Sequence, residues 1–111
     1  MNDIIVVVTG GFDPLHSGHI AYFKEAKKLG NKLIVGINSD AWLTKKKGSP
    51  FLPFNERLEI VSNIDVVDEA IGFEDDELNS AADAISQTIQ RYPNNKIVFA
   101  NGGDRGSTNT P

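Results

Sequence analysis

The run Ile4-Ile5-Val6-Val7-Val8-Thr9-Gly10-Gly11-Phe12-Asp13-Pro14-Leu15-His16-Ser17-Gly18-His19 decides the fold. Its first five residues are apolar and β-branched without alternation, the pattern of a strand buried on both faces of a parallel sheet. Thr9-Gly10-Gly11 closes that strand. From Gly18 to Leu29, Tyr22, Ala26 and Leu29 recur at helical spacing with Ile20 and Phe23 beside them, while Lys24, Glu25, Lys27 and Lys28 take the outer face. This spacing predicts an amphipathic helix stopped by Gly30-Asn31. Lys32 to Asn38 (KLIVGIN) repeats the buried-strand pattern. A strand, loop, helix and strand in that order imply a parallel, right-handed crossover.

Working outward, Ser39 or Asp40 can cap a short helix near Trp42, followed by a basic loop, Lys45-Lys46-Lys47-Gly48-Ser49-Pro50. Pro53 and Asn55 announce a helix over roughly Asn55 to Asn63, with Leu58 and Val61 on one face. Val66 to Phe73 reads as a third strand, interrupted by Asp68 and Glu69. Asn79 to Tyr92 is a helix with Ala82, Ile85, Ile89 and Tyr92 on one side, stopped at Pro93-Asn94-Asn95, and Lys96 to Ala100 is a fourth strand. Alternating strands and helices point to an α/β, Rossmann-like open parallel sheet with helices on both faces, in three layers. Such sheets bind ligands beyond the carboxyl ends of their strands, where strand order reverses. The loops after the first, second and fourth strands are therefore the candidates for a site.

The 111 residues suffice for one domain, 1–111, and are too few for two. The net charge of −4 argues against a broad basic surface for duplex nucleic acid or anionic lipid, so any phosphate site is local. With no cysteine, disulfides, thiolate metal sites and a cysteine nucleophile are excluded. The start of the chain has no basic n-region, and Ile4 to Val8 is far too short for a membrane span. A cytoplasmic location is the expectation.

Both histidines of the chain fall in the first loop. Its glycines let a backbone approach a polyphosphate, and the following helix start offers free N–H groups and a positive dipole end. His16 and His19 flank Gly18, so a phosphate can reach both imidazoles without an intervening side chain. Fixed donors aimed at an α-phosphorus under attack lower the barrier without a covalent intermediate. Neither a dinucleotide fingerprint nor a P-loop pattern occurs here. A transition-metal site on His16, His19 and Asp13 lacks an obvious further ligand, and two surface histidines on a structural turn are the bland alternative.

Elsewhere each candidate has an ordinary reading beside the functional one. Lys45-Lys46-Lys47 either folds over the strand ends to meet phosphates or is a solvated face. Arg57 either adds a bidentate phosphate contact or lies on a helix surface. Asp104, after the fourth strand, either accepts from ribose or orients magnesium, or belongs to a plain Gly-Gly-Asp turn.

Gly11-Phe12-Asp13-Pro14-Leu15-His16-Ser17-Gly18-His19 resembles the HxGH signature of the cytidylyltransferase-like nucleotidyltransferases. Further similar segments follow in order: Gly36-Ile37-Asn38-Ser39-Asp40, Lys47-Gly48, Pro53-Phe54-Asn55-Glu56-Arg57, Val67-Asp68-Glu69-Ala70 and Gly102-Gly103-Asp104. The middle of the chain is similar to glycerol-3-phosphate cytidylyltransferase and to the nucleotidyltransferase that activates heptose phosphate. Asp13-Pro14 instead resembles adenylyltransferases acting on phosphopantetheine or nicotinamide mononucleotide.

The resemblance implies that a phosphorylated alcohol or sugar attacks the α-phosphate of CTP, or alternatively ATP, with magnesium and release of pyrophosphate. It places Gly11 and Phe12 against the nucleotide, with His16 and His19 holding phosphates as catalytic donors. Asp13 and Gly18 belong to the same nucleotide loop, and Lys46 or Lys47 contacts triphosphate and acceptor. It also implies a homodimer. Relatives carry a further strand and a serine- and threonine-rich segment that grips the triphosphate, whereas Asn101 to Pro111 contains no apolar run. The domain is thus expected to lack its C-terminal strand and helix. The alternative from another class is a non-catalytic nucleotide-binding module; the complete Phe-Asp-x-x-His-x-Gly-His set favours an enzyme.

Overall fold

The computed structural model describes residues 3–73 and 82–100. In chain order these form β1 (Ile4–Gly10), α1 (Ser17–Lys27), β2 (Lys32–Ile37), α2 (Asp40–Lys47), α3 (Phe54–Ser62), β3 (Glu69–Gly72), α4 (Ala82–Arg91) and β4 (Lys96–Phe99). The strands make one sheet in the order β3-β2-β1-β4, and all three pairings are parallel. The expected Rossmann-like α/β architecture is present.

Strand alternation separates two apolar layers. Val6, Val8, Leu33, Val35 and Ile37 face α1 and α3, where Phe23, Ala26 and Val61 meet them. Ile5, Val7 and Ile34 face the other way, onto Ala84 of α4. Complete burial of each such side chain is worth about 1.5–3 kcal/mol, so the two central strands dominate the stability of the sheet. The chain steps from β1 to β2 to β3 in one direction, then returns to pair β4 on the far side of β1. Right-handed crossovers put a helix on the opposite face when the direction of stepping reverses, which is why α4 lies apart from α1 and α3. The reversal falls between β1 and β4, so the crevice opens beyond Gly10 and Phe99.

Four local expectations are corrected. Lys45, Lys46 and Lys47 form the last turn of α2 rather than a loop, and Gly48, at φ 95°, ends that helix in the left-handed region. β3 begins only at Glu69: Val67 N–H donates to Ile64 O in a turn off α3, and Asp68 turns its carboxylate to Leu33 N–H and Lys27. Leu29 and Ile89, both placed on buried faces by spacing, are exposed. In α4 it is Ala84 and Thr88 that are buried, because the close approach to the sheet admits small side chains and Thr88 returns its hydroxyl to Ala84 O. The expected first turn of that helix, 79–81, lies outside the described residues. Among the described residues no helix is long and apolar enough to cross a membrane.

Candidate active site

β1 delivers its last residues to the reversal point, and the loop Gly11 to His16 carries the chain from there to the start of α1. Phe12 adopts a left-handed conformation, φ 54°, that buries its ring among the core residues. There it stands edge-on to both His19 and Phe23, with centroids 5.2 Å away in each case. The aromatic ring thereby supports His19 from behind.

The two histidines cap α1. His16 is the N-cap, extended at φ −145° and ψ 178°, and its Nδ1 accepts from Gly18 N–H at 3.0 Å. His19 Nδ1 reaches back to accept from His16 N–H at 3.1 Å. This is a reciprocal capping box built from imidazoles in place of the usual hydroxyl and carboxylate. An Nδ1 that accepts carries no proton, so each neutral ring bears its hydrogen on Nε2. Two Nε2–H donors on rings 4.0 Å apart are thus fixed at a helix N-terminus. No acidic residue occupies the first turn, which leaves its positive end unneutralised. Burial first, and then the proximity of His16, hold the His19 pKa below the ordinary imidazole value of 6.5. Gly18 is required by contact: a Cβ there would lie 2.8 Å from His16 Cε1.

Asp13 is placed differently. Its side chain is 1% exposed and accepts from Phe51 N–H at 2.5 Å, Leu52 N–H at 2.6 Å and Lys47 Nζ at 2.9 Å. Lys47 also donates to Asp13 O at 2.9 Å. Burial pushes the carboxyl pKa up, but the hydrogen bond from Lys47 and those from Phe51 and Leu52 outweigh it, leaving the group below its usual 3.8. Asp13 therefore fastens residues 51 and 52 against the histidine loop and stations Lys47 beside it. Lys46 lies over the Trp42 ring, 5.3 Å from its centroid, and Trp42 in turn borders Gly11.

Arg57 is neither on the helix surface nor turned to solvent. It is 1% exposed, donating to Leu52 O, Gly11 O, Asn38 O and Asp40 Oδ1 at 2.6–3.0 Å. It joins the loop after β1 to the loop after β2 and the start of α2. Spacing alone missed Asp40 and Trp42 as neighbours of the site, although the loop after the second strand was a candidate. Tyr22 OH donates to Ala100 O at 2.9 Å, tying α1 to the end of β4. Asp104 lies outside the described residues.

The chain has counterparts among known proteins in sequence and in fold. The chain belongs to the cytidylyltransferase-like family, whose model matches residues 7–108. It is 37% identical to the bifunctional protein HldE of Erwinia tasmaniensis and 33% identical to that of Escherichia coli, each over 90% of this chain. The chain spans 23% of the length of those relatives. Among solved structures, a lipopolysaccharide core biosynthesis protein from Thermoplasma volcanium matches with a TM-score of 0.68 at 29% identity, over 90% of this chain and 96% of that one. A protein of unknown function from Archaeoglobus fulgidus shares the fold, with a TM-score of 0.60 at 23% identity over 99% and 96% of the two chains.

Proposed function

We propose that this protein transfers CMP or AMP from a nucleoside triphosphate to a phosphorylated sugar or alcohol, releasing pyrophosphate. The pair of Nε2–H donors at the unneutralised start of α1 carries this reading. Membership of the cytidylyltransferase-like family supports nucleotidyl transfer, and the solved relative named for lipopolysaccharide core biosynthesis supports a sugar-derived acceptor.

An acceptor phosphate oxygen attacks the α-phosphorus in line. The new P–O bond forms as the bond to the β-phosphate bridge breaks, and its electron pair leaves on pyrophosphate. His16 and His19 donate through Nε2 to the phosphate oxygens where charge accumulates, while each Nδ1 is engaged by the backbone. Lys47 brings a cation to the same edge, while Arg57 positions the loops from below. Gly11 and Phe12 shape the nucleotide side of the loop. Among the described residues no group of three His, Asp or Glu gathers to hold a metal, and the Asp13 carboxylate is filled by protein donors. Magnesium would enter on the triphosphate itself.

The test is pyrophosphate release with CTP or ATP and a panel of phosphorylated sugars and alcohols. Release dependent on one nucleotide and one acceptor supports the proposal, and calorimetry with CTP and ATP reads the base. Absence of release with every pairing, despite nucleotide binding, would reduce the protein to a binding module.

A further inference from the structure

Two of the lysines that end α2 are held in different ways. Lys47 is tethered to Asp13, whereas the Lys46 ammonium stands over the Trp42 ring, 5.3 Å from its centroid. Trp42 and Lys46 are one turn apart on the same helix, and helical side chains lean toward the N-terminus, so Lys46 reaches back over Trp42. A lysine in a last turn is otherwise drawn the opposite way, to the terminal carbonyls and the negative end of the helix dipole. The indole face offsets that pull.

The ring is itself firmly placed. Ser39 Oγ, at the N-cap of α2, accepts from Trp42 N–H at 3.1 Å, and the neighbouring Leu43 is buried. Trp42 is half-buried, with Cζ3 3.6 Å from where a Cβ on Gly11 would stand. Gly11 O is in turn held by Arg57 at 3.0 Å. The indole thus joins an exposed ammonium to the backbone of the histidine loop. A ring face occupies one side of an ammonium and leaves N–H donors on the other side for phosphate oxygens.

Resting on the nucleotide-binding part of the transferase reading above, we infer that Trp42 is a positioning residue: it orders Lys46 in advance and presents the ammonium to the triphosphate, with the indole behind it. The gain comes from a long side chain that need not be immobilised when the nucleotide arrives. A nucleoside monophosphate, lacking the β- and γ-phosphates, gains nothing from it.

Calorimetric titration of CTP, ATP, CMP and AMP tests this on the wild type, Trp42→Phe, Trp42→Leu, Lys46→Met and the double variant Trp42→Leu/Lys46→Met, with circular dichroism to check folding. For whichever triphosphate binds more tightly, Trp42→Leu should weaken binding about fivefold, the scale of ordering one long side chain. Trp42→Phe should restore it to within about twofold of the wild type, because a phenyl face still attracts the cation. The double variant should bind no more weakly than Lys46→Met alone, and binding of the monophosphates should be the same throughout. Equal losses on the monophosphates would mean that the ring touches base or sugar, and losses that add in the double variant that it only shapes the loop; either overturns the inference. A second measurement leaves Trp42 in place: the Lys46 ε-methylene protons, assigned by their absence in Lys46→Met, should be shifted upfield by the indole ring current with and without triphosphate. Unshifted protons would overturn it. None of these readouts needs turnover. Triphosphate binding with the expected pattern but without pyrophosphate release would support the role of Trp42 while the transferase reading fails, and a wild type that binds neither CTP nor ATP would overturn the inference.

Discussion

Asp13→Asn tests the fastening of the histidine loop with almost no change of shape. In the wild type one carboxylate accepts from two backbone N–H groups and from Lys47, on a side chain 1% exposed. An asparagine retains one acceptor oxygen and places an NH₂ where the other oxygen stood, so either Phe51 or Leu52 N–H faces a donor. The loss combines one charge-assisted hydrogen bond with an unsatisfied buried N–H, a total of about 2–4 kcal/mol. Lys47 adds little to that figure, because its side chain is 39% exposed and water can replace the pair. Against a usual domain stability of about 5–15 kcal/mol this is a large fraction. Urea denaturation followed by circular dichroism and by Trp42, the sole tryptophan, measures it. The pH dependence gives an independent check. Because the folded Asp13 pKa lies below 3.8, its contribution is present above that value and is lost as pH falls through the lowered pKa. The variant should lack that part of the acid dependence. A cost below about 1 kcal/mol, with an unchanged acid profile, would refute the reasoning.

His19→Ala should reduce pyrophosphate release roughly 10²- to 10³-fold with the fold retained. His16→Asn separates capping from catalysis: asparagine is a favoured N-cap, so stability should change by less than about 1 kcal/mol while turnover falls to a similar degree. Turnover should hold as pH falls through 6.5 and be lost only as it falls through the lowered His19 pKa, since a protonated Nδ1 cannot accept from the backbone; loss already centred above 6.5 would contradict this assignment of the nitrogens. Lys47→Ala should raise the KM for nucleotide or acceptor more than it lowers kcat, and unchanged constants would return that lysine to an ordinary solvated role.

The two central strands were legible because they are apolar runs rich in β-branched residues, β3 (EAIG) much less so, and helical spacing marks α1, α3 and α4. Strand order was not, since only the paired registers establish that β4 lies beside β1. Periodicity erred at Leu29, which lies in the turn that follows α1, and at Ile89, on a face of α4 that the sheet does not cover. It also missed small residues at close approach, as at Ala84. The histidine loop could be located from composition, but not the tautomers, which follow from two backbone N–H groups found only once φ and ψ are fixed. Arg57 illustrates the limit most clearly. An arginine on an otherwise amphipathic helix carries no sequence signal for burial, and only three converging carbonyls and Asp40 reveal it as a post beneath the site.

The placement of that post bears on how the site is organised. Arg57 fixes Gly11 and Asn38, at the ends of the two central strands, and Asp13 fixes residues 51 and 52 to the loop between them. The histidines are in turn fixed by the N–H groups of their own helix. Each imidazole of the proposed phosphate site is thus held by backbone atoms, and little of its orientation is left to freely rotating side chains. Lys46 and Lys47 differ in being largely exposed on longer stems, the first over the Trp42 ring and the second tethered to Asp13. In the reaction proposed here a division of labour follows from this difference: imidazoles whose positions cost no reorganisation suit charge developing in the transition state, and the more exposed ammonium groups suit capture and release of triphosphate and pyrophosphate.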